Sequence, residues 1–227
     1  ISSSLSKSDT QILIRIAVLD TGFTRSELSK NVHLCTEGHK DFTGIGLMDN
    51  KGHGSHIINT IVKNLKSEDY CIIVVKWFDP QIDPRFLDIL SYMAFEYASK
   101  LNVDIINYSA GGMASSKKEK HLLSSILNSN IKVFVAAGNS GRDLDKNCNY
   151  YPACYKLTWL NVVAALNQDE TQWAFSNYGS VINNWEIGVD VKADTGYGVE
   201  REMSGTSQAC AVASAKAANR LFKRKNK

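Results

Sequence analysis

No apolar run in this chain approaches the ~20 residues that a membrane-spanning helix requires, so no membrane span is expected. An excess of one charge is missing as well. Lys and Arg number 26 against 23 Asp and Glu, a formal net charge of +3. Part of that surplus sits in the terminal Lys223-Arg224-Lys225-Asn226-Lys227, which reads as a solvated, frayed tail, so the balance gives no argument for nucleic acid. The five cysteines include no pair of CxxC units, which excludes the usual zinc ribbon or finger. Their odd number leaves at least one thiol free and no complete disulfide framework. Cys148 and Cys154 flank Tyr151-Pro152 closely enough to close a loop, and buried free cysteines suit the sequence equally well. The opening Ile1-Ser2-Ser3-Ser4 lacks a basic segment followed by an apolar core, so no signal peptide is expected in this sequence; a processed or trimmed chain would look the same. Linkers, internal repeats and low-complexity segments other than the basic tail are also lacking. What remains is 227 residues with 44% hydrophobic and 22% charged content, enough for one sizeable core, and a single domain over residues 1–227 is expected.

Within that length, short apolar runs alternate with segments of helical spacing. Ile12 to Leu19 is rich in β-branched residues and stops at Asp20-Thr21-Gly22. Such a run suits a strand buried on both faces of a parallel sheet, with Asp20 at the carboxyl end, where ligands and catalysts of open α/β sheets gather. The pattern returns at Cys71 to Val75, Asp104 to Asn107, Ile131 to Ala136 and Asn161 to Ala165. Pro84 to Lys100 places Phe86, Leu90, Met93 and Tyr97 at intervals of three and four, and His121 to Asn128 does the same with Leu122, Leu123, Ile126 and Leu127. The alternation predicts a mostly parallel sheet covered by helices on both faces, with right-handed crossovers.

Four short segments carry candidate chemistry. Met203 to Ala211 sets Ser207 between a glycine turn and a run of small residues. That is how a hydroxyl is presented at the N-terminus of a buried helix, where free N–H groups and the positive dipole end favour charge developing on oxygen. Cys210 lies about one helical turn further on and is expected to point into packing. Asp20-Thr21-Gly22 alone is as compatible with a turn as with a catalyst. Gly52-His53-Gly54-Ser55-His56 places a histidine between glycines at a helix start. Two histidines three apart without a third ligand do not make a metal site, so no metal is expected and His56 is read as a packed or hydrogen-bonded core residue. Ala136-Ala137-Gly138-Asn139-Ser140-Gly141 ends a strand in an exposed amide, which is either a plain turn or an N–H donor for an oxyanion. It lacks the spacing of a phosphate-binding loop, which sets aside a nucleotide-binding domain.

Taken in order, Val18-Leu19-Asp20-Thr21-Gly22, the His53 segment, Asn107 to Gly112, Ala136 to Asn139 and Ser204-Gly205-Thr206-Ser207 resemble the subtilisin-like serine proteases, the subtilase family, over almost the whole chain. The resemblance implies a three-layer α/β subtilisin-like fold. It implies that Ser207 is the nucleophile, His53 its general base and then acid, Asp20 the group orienting His53, and Asn139 an oxyanion donor beside the backbone N–H of Ser207. It further implies that Ser109, Ala110, Gly111 and Gly112 form an edge pairing with an extended polypeptide substrate, with Ala136, Ala137 and Gly138 on the far side of a specificity pocket. No cofactor is implied, and Lys63 to Tyr70 is too short for the calcium loop of many relatives, so no calcium is expected.

The departures from the family pattern concern packing and preference more than chemistry. Gln208-Ala209-Cys210-Ala211 follows the serine where Met-Ala and a later proline are usual, and Gln208 is expected to alter the leaving-group side of the cleft. Asn59 stands where glycine is usual, and Glu186-Ile187-Gly188 replaces Ala-Pro-Gly. The chain is expected to be compact at both ends. Peptide-bond hydrolysis through an acyl-enzyme is the leading expectation. An acyl-transferring macrocyclase of the same family and an inert peptide-binding pseudoprotease are the alternatives. Most relatives are exported with an inhibitory prosegment, while the odd cysteine count and missing signal leave an intracellular form open.

Overall fold

In the computed structural model, which describes residues 13–225, the apolar run that stops at Asp20 forms β1 (Ile14–Asp20) inside a seven-stranded sheet. Ile12, which the sequence places in this strand, lies outside the described residues. The other elements follow in order: β2 (Lys40–Asp41), α1 (His53–Asn64), β3 (Tyr70–Lys76), α2 (Leu87–Ser99), β4 (Ile105–Tyr108), α3 (Lys117–Leu127), β5 (Lys132–Ala136), β6 (Asn161–Leu166), β7 (Asn184–Ile187), β8 (Val191–Asp194), β9 (Glu200–Met203) and α4 (Thr206–Lys225). The sheet order is β2-β3-β1-β4-β5-β6-β7 and every pairing in it is parallel; β8 and β9 form a separate antiparallel pair. The chain reverses its direction of growth across the sheet at β1, which has β3 on one side and β4 on the other. Such a switch point opens a crevice outside the strand ends, and Asp20 stands at it.

Alternation along β1 sorts the core into two layers. Ile14, Ile16 and Val18 pack with Ile57, Ile58 and Ile61 of α1 and Ala209 and Ala213 of α4. Ala17 and Leu19 face the other way, onto Phe95 and Ala98 of α2 and Leu123 of α3. This is the mostly parallel, three-layer α/β arrangement expected, with α1 and α4 on one face and α2 and α3 on the other. Along its first three turns α4 buries Ala209, Cys210, Ala211, Ala213, Ser214 and Ala215, side chains small enough to bring its backbone close to the sheet.

Several local expectations are corrected. Helix α2 starts at Leu87, after a 3-10 turn over Pro84–Phe86 whose cap is Asp83, its carboxylate accepting from Arg85 N at 2.9 Å. Its buried face is Ser91, Ala94, Phe95 and Ala98, whereas Phe86 and Met93 of the expected stripe are exposed. α3 begins at Lys117, earlier than expected, because Ser116 caps it by accepting from Glu119 N at 3.2 Å. Of the basic tail, Lys223 and Arg224 are exposed as expected but helical, in the last turns of α4, and Asn226 and Lys227 lie outside the described residues. β2, β7 and the β8–β9 pair were not expected, being short or polar. Two disulfides are present, Cys148–Cys154 and Cys35–Cys71, the second tying the segment before β2 to β3; Cys210 is the free thiol.

Candidate active site

Asp20 is almost wholly buried at the carboxyl end of β1, and its Oδ1 accepts from His53 Nδ1 at 2.7 Å and from Thr21 N at 2.8 Å. The pair is held by the start of α1. Thr21 Oγ1 accepts from Gly54 N at 2.8 Å and donates to Asp49 Oδ1 at 2.9 Å. Asp49 in turn accepts from Lys51 N and Gly52 N on Oδ1 and from Ser55 N on Oδ2, at 3.0, 2.8 and 2.7 Å. A fully buried carboxylate thereby occupies the N–H groups that open the helix and lies at its positive end. Gly54 has to be glycine, because a Cβ there would stand 2.3 Å from the carbonyl oxygen of Gly22. The strand end and the helix start are thus clamped backbone to backbone, which sets the Asp20–His53 distance. Burial pulls the His53 imidazole down, but the charge of Asp20, its hydrogen bond and the more distant Asp49 outweigh this, and the net effect is a raised pKa.

Ser207 lies in the first turn of α4, part-buried. Its Oγ donates to the carbonyl oxygen of Ser109 at 2.9 Å rather than to His53. Ser109 Oγ donates back to the carbonyl oxygen of Ser207 at 2.9 Å and accepts from Asn107 Nδ2 at 3.0 Å. On the other side, Asn139 Oδ1 accepts from Thr206 N at 2.9 Å and from Thr206 Oγ1 at 2.8 Å. Since Thr206 N can only donate, the amide is oriented unambiguously, and Nδ2 has no acceptor among the described residues. Asn139 is therefore more than a turn residue: its oxygen caps α4 and its N–H groups are left available next to Gly205.

The expected substrate edge is only partly free. Gly112 exchanges backbone hydrogen bonds with Tyr151, at 2.9 and 2.7 Å, and the Ser109 carbonyl holds Ser207, so in this stretch Ala110 and Gly111 are the residues whose N–H and C=O groups both lack a partner among the described residues. Ala136 and Ala137 are fully buried core residues. Gly138 is buried too, its N donating to Thr206 Oγ1 at 3.0 Å and its carbonyl accepting from Asn177 N at 2.9 Å. A cavity of about 620 Å³ opens beside Asp20 and His53 and runs past Trp77, Leu87 and Tyr108 to Glu119. Burial raises the Glu119 carboxyl above its ordinary range although Ser91 Oγ and Tyr155 OH donate to it at 2.8 and 2.7 Å.

Gln208 differs from expectation, whereas His56 is the hydrogen-bonded core histidine expected. Gln208 is buried and its Nε2 reaches back to His56 Nδ1 at 3.4 Å, so it packs behind the helix and does not border the cleft. His56 donates from Nε2 to the carbonyls of Val191 and Arg201 at 3.0 and 3.1 Å, joining α1 to the β8–β9 pair, and burial lowers its pKa. Asn59 serves the same junction, its Nδ2 donating to Asp194 O at 3.2 Å. Asp49, Thr21 and Thr206 are the site residues that sequence reasoning missed. An acidic residue shortly before a glycine-flanked helix start was a capping signal for the first of them. Among the described residues no three His, Cys, Asp or Glu side chains gather as a metal site requires, and no helix is long and apolar enough to cross a membrane.

A parallel sheet with helices on both faces and a switch-point crevice at its strand ends defines the class of open α/β proteins. The particular lineage follows from comparison. Residues 13–226 match the Subtilase family, and the chain belongs to it. Subtilisin E of Bacillus subtilis is 28% identical over 206 residues, covering 86% of this chain and 52% of that protein. A thermostable alkaline protease of Halalkalibacterium halodurans is 30% identical over 207 residues, covering 86% of this chain and 53% of the relative. The chain thus spans about half the length of these relatives. Among solved structures, a lanthipeptide protease superposes with a TM-score of 0.78 at 19% identity, covering 94% of this chain and 75% of that one. The protease domain of PatA gives 0.76 at 22% identity, covering 93% and 81%. These likenesses speak for the fold.

Proposed function

We propose that this chain is a serine endopeptidase acting as a single peptidase domain, with Asp20, His53 and Ser207 as its triad and Asn139 as an oxyanion donor. The observation that carries this is the 2.7 Å bond from His53 Nδ1 to a buried carboxylate. It fixes the imidazole as the Nδ1–H tautomer and leaves Nε2 as a base facing the cleft. An extended polypeptide pairs with the free backbone of Ala110 and Gly111, and rotation about the Ser207 side chain moves Oγ from the Ser109 carbonyl to His53. His53 Nε2 takes the Ser207 proton as Oγ attacks the peptide carbonyl. The oxygen, now negative, meets Asn139 Nδ2 and the N–H of Ser207, which in the first turn of α4 has no intrahelical acceptor. The imidazolium then returns the proton to the departing amine, and water hydrolyses the acyl-enzyme by the same route. Labelling with a serine-directed fluorophosphonate, followed by mapping of the modified residue and by peptide-library cleavage, tests this: Ser207 is labelled and peptides are cut.

A second reading, an inert peptide-binding relative, draws support from one observation. The Ser207 hydroxyl is bonded to Ser109 and not to His53. Absence of labelling in folded protein would select it.

A further inference from the structure

The ring of Tyr150 lies between Gly111 and Gly138. A Cβ placed on Gly111 would stand 2.5 Å from ring atoms Cε1 and Cζ and 2.8 Å from the phenol oxygen, and one placed on Gly138 would stand 3.1 Å from Cδ1 and Cε1. The phenol spans the gap between two chain segments because both lack side chains there.

Those segments flank Ser207. Gly111 lies two residues beyond Ser109, whose carbonyl holds Ser207 Oγ, and Gly138 immediately precedes Asn139, whose amide caps the helix that carries Ser207. A peptide carbonyl set between Ser207 Oγ and Asn139 Nδ2 directs the side chain of its own residue into this gap. Tyr150 is held there from several directions. The Cys148–Cys154 bridge closes its loop, Cys154 N donates to the Tyr150 carbonyl at 2.8 Å, and the next residue pairs both ways with Gly112. The ring is part-buried and borders the 620 Å³ cavity, and the phenol pKa is pushed up to about 12 by burial and by the neighbouring Cys210.

Resting on the peptidase reading above, we infer that Tyr150 closes the space beside Ser207 to all but the smallest side chains, so that the substrates are polypeptides with glycine or alanine on the acyl side of the scissile bond. Two rigid walls and a ring tethered by a disulfide leave room for a hydrogen or a methyl group. A larger side chain would have to displace a ring that already stands at contact distance from Gly111 and Gly138, and such overpacking is costly.

The test uses the whole chain and four fluorogenic peptides differing only at that residue: Gly, Ala, Leu and Phe. Wild-type kcat/KM for the Ala peptide should exceed that for the Phe peptide by at least about 100-fold, and in Y150A the Phe-to-Ala ratio should rise at least about tenfold. Y150L, with a side chain of intermediate volume, should raise the ratio less and keeps the test available if Y150A does not fold. Equal wild-type cleavage of the Phe and Ala peptides overturns the inference. So does an unchanged ratio in either folded variant, or labelling of Ser207 without cleavage of the Gly and Ala peptides. Failure of the peptidase reading looks different: Ser207 resists the fluorophosphonate and no peptide is cut, and both proposals then fall together.

Discussion

Ser207 and Ser109 hold each other through reciprocal hydrogen bonds, each hydroxyl donating to the other's carbonyl oxygen at 2.9 Å. The contact joins the first turn of α4 to the end of β4, so it positions the proposed nucleophile and at the same time keeps it off the base. Because the acceptor is a backbone oxygen, no side-chain substitution at position 109 removes it. Ser207→Ala should abolish fluorophosphonate labelling and lower turnover by about 10⁶-fold, the loss known for the nucleophile of subtilisin itself. Stability should change little, by about 1 kcal/mol, since one hydrogen bond to the Ser109 carbonyl is lost. A variant that kept even a hundredth of wild-type activity would remove Ser207 from the mechanism.

Asn139 combines two functions on two atoms, and substitution separates them. Its oxygen caps α4 through Thr206 N and Oγ1, while Nδ2 has no acceptor among the described residues. Asn139→Ala loses both, so it should lower kcat by about 100- to 1000-fold, the effect known for the subtilisin oxyanion donor, and destabilise by about 0.5–2 kcal/mol through the lost cap. Asn139→Asp keeps an acceptor at the positive end of the helix and should unfold at or above the wild-type temperature, yet be at least as inactive, because it sets a negative charge against the forming oxyanion. Parallel loss of stability and activity in both variants would mean that Asn139 acts on structure alone.

The candidate triad was legible because each member sits at a chain position with its own signal: Asp20 where a β-branched run stops, His53 between two glycines, Ser207 before a run of small residues. The layers were legible for the same reason, since strands buried on both faces have few other readings. What escaped depended on contacts across long sequence distances or on rotamers. Asp49 acts through Thr21 and Ser55, residues that only the folded chain brings around it. Cys35 lies in irregular structure 36 residues from Cys71, so spacing could not pair them. The exposed Phe86 and Met93 mimic a core stripe in α2, while the true buried face hides among Ser91, Ala94 and Ala98. Gln208 looked like a neighbour of the cleft because it follows Ser207, but on a helix the next residue turns about 100° away. Tyr150 carried no signal, because its role depends on glycines 39 and 12 residues away.

The cysteines give a count that is easy to test. With Cys35–Cys71 and Cys148–Cys154 bridged, a thiol reagent should find one group in denatured, unreduced protein and almost none in native protein. Cys210 is fully buried, and its thiol is pushed up to about 12, chiefly by burial. Very little thiolate exists near neutral pH, so alkylation of native protein should leave activity intact. Three or five reactive thiols after denaturation would remove one or both bridges.

His53 makes the pH dependence specific. Burial lowers its pKa, but the charge of Asp20, the 2.7 Å hydrogen bond and Asp49 together raise it above 6.5. As a general base His53 must be neutral, so the acid limb of kcat/KM should have its midpoint above that value. Asp20→Asn removes the largest raising influence and leaves burial in place, so the limb should move to lower pH. Turnover should also fall by about 10⁴-fold, because an amide does not hold the Nδ1–H tautomer as a carboxylate does. Stability follows with a definite sign. A histidine whose folded pKa is raised contributes stability that is fully present below its unfolded pKa and is lost as pH rises through the folded one. The unfolding temperature of wild type relative to Asp20→Asn should therefore be more favourable at about pH 5.5 than at about pH 8.5, by a small margin given that the His53 side chain is 35% exposed. If the acid limb stayed in place in Asp20→Asn, it would belong to a group other than His53. If the difference in unfolding temperature did not change with pH, the Asp20–His53 contact would not be an ion pair in solution.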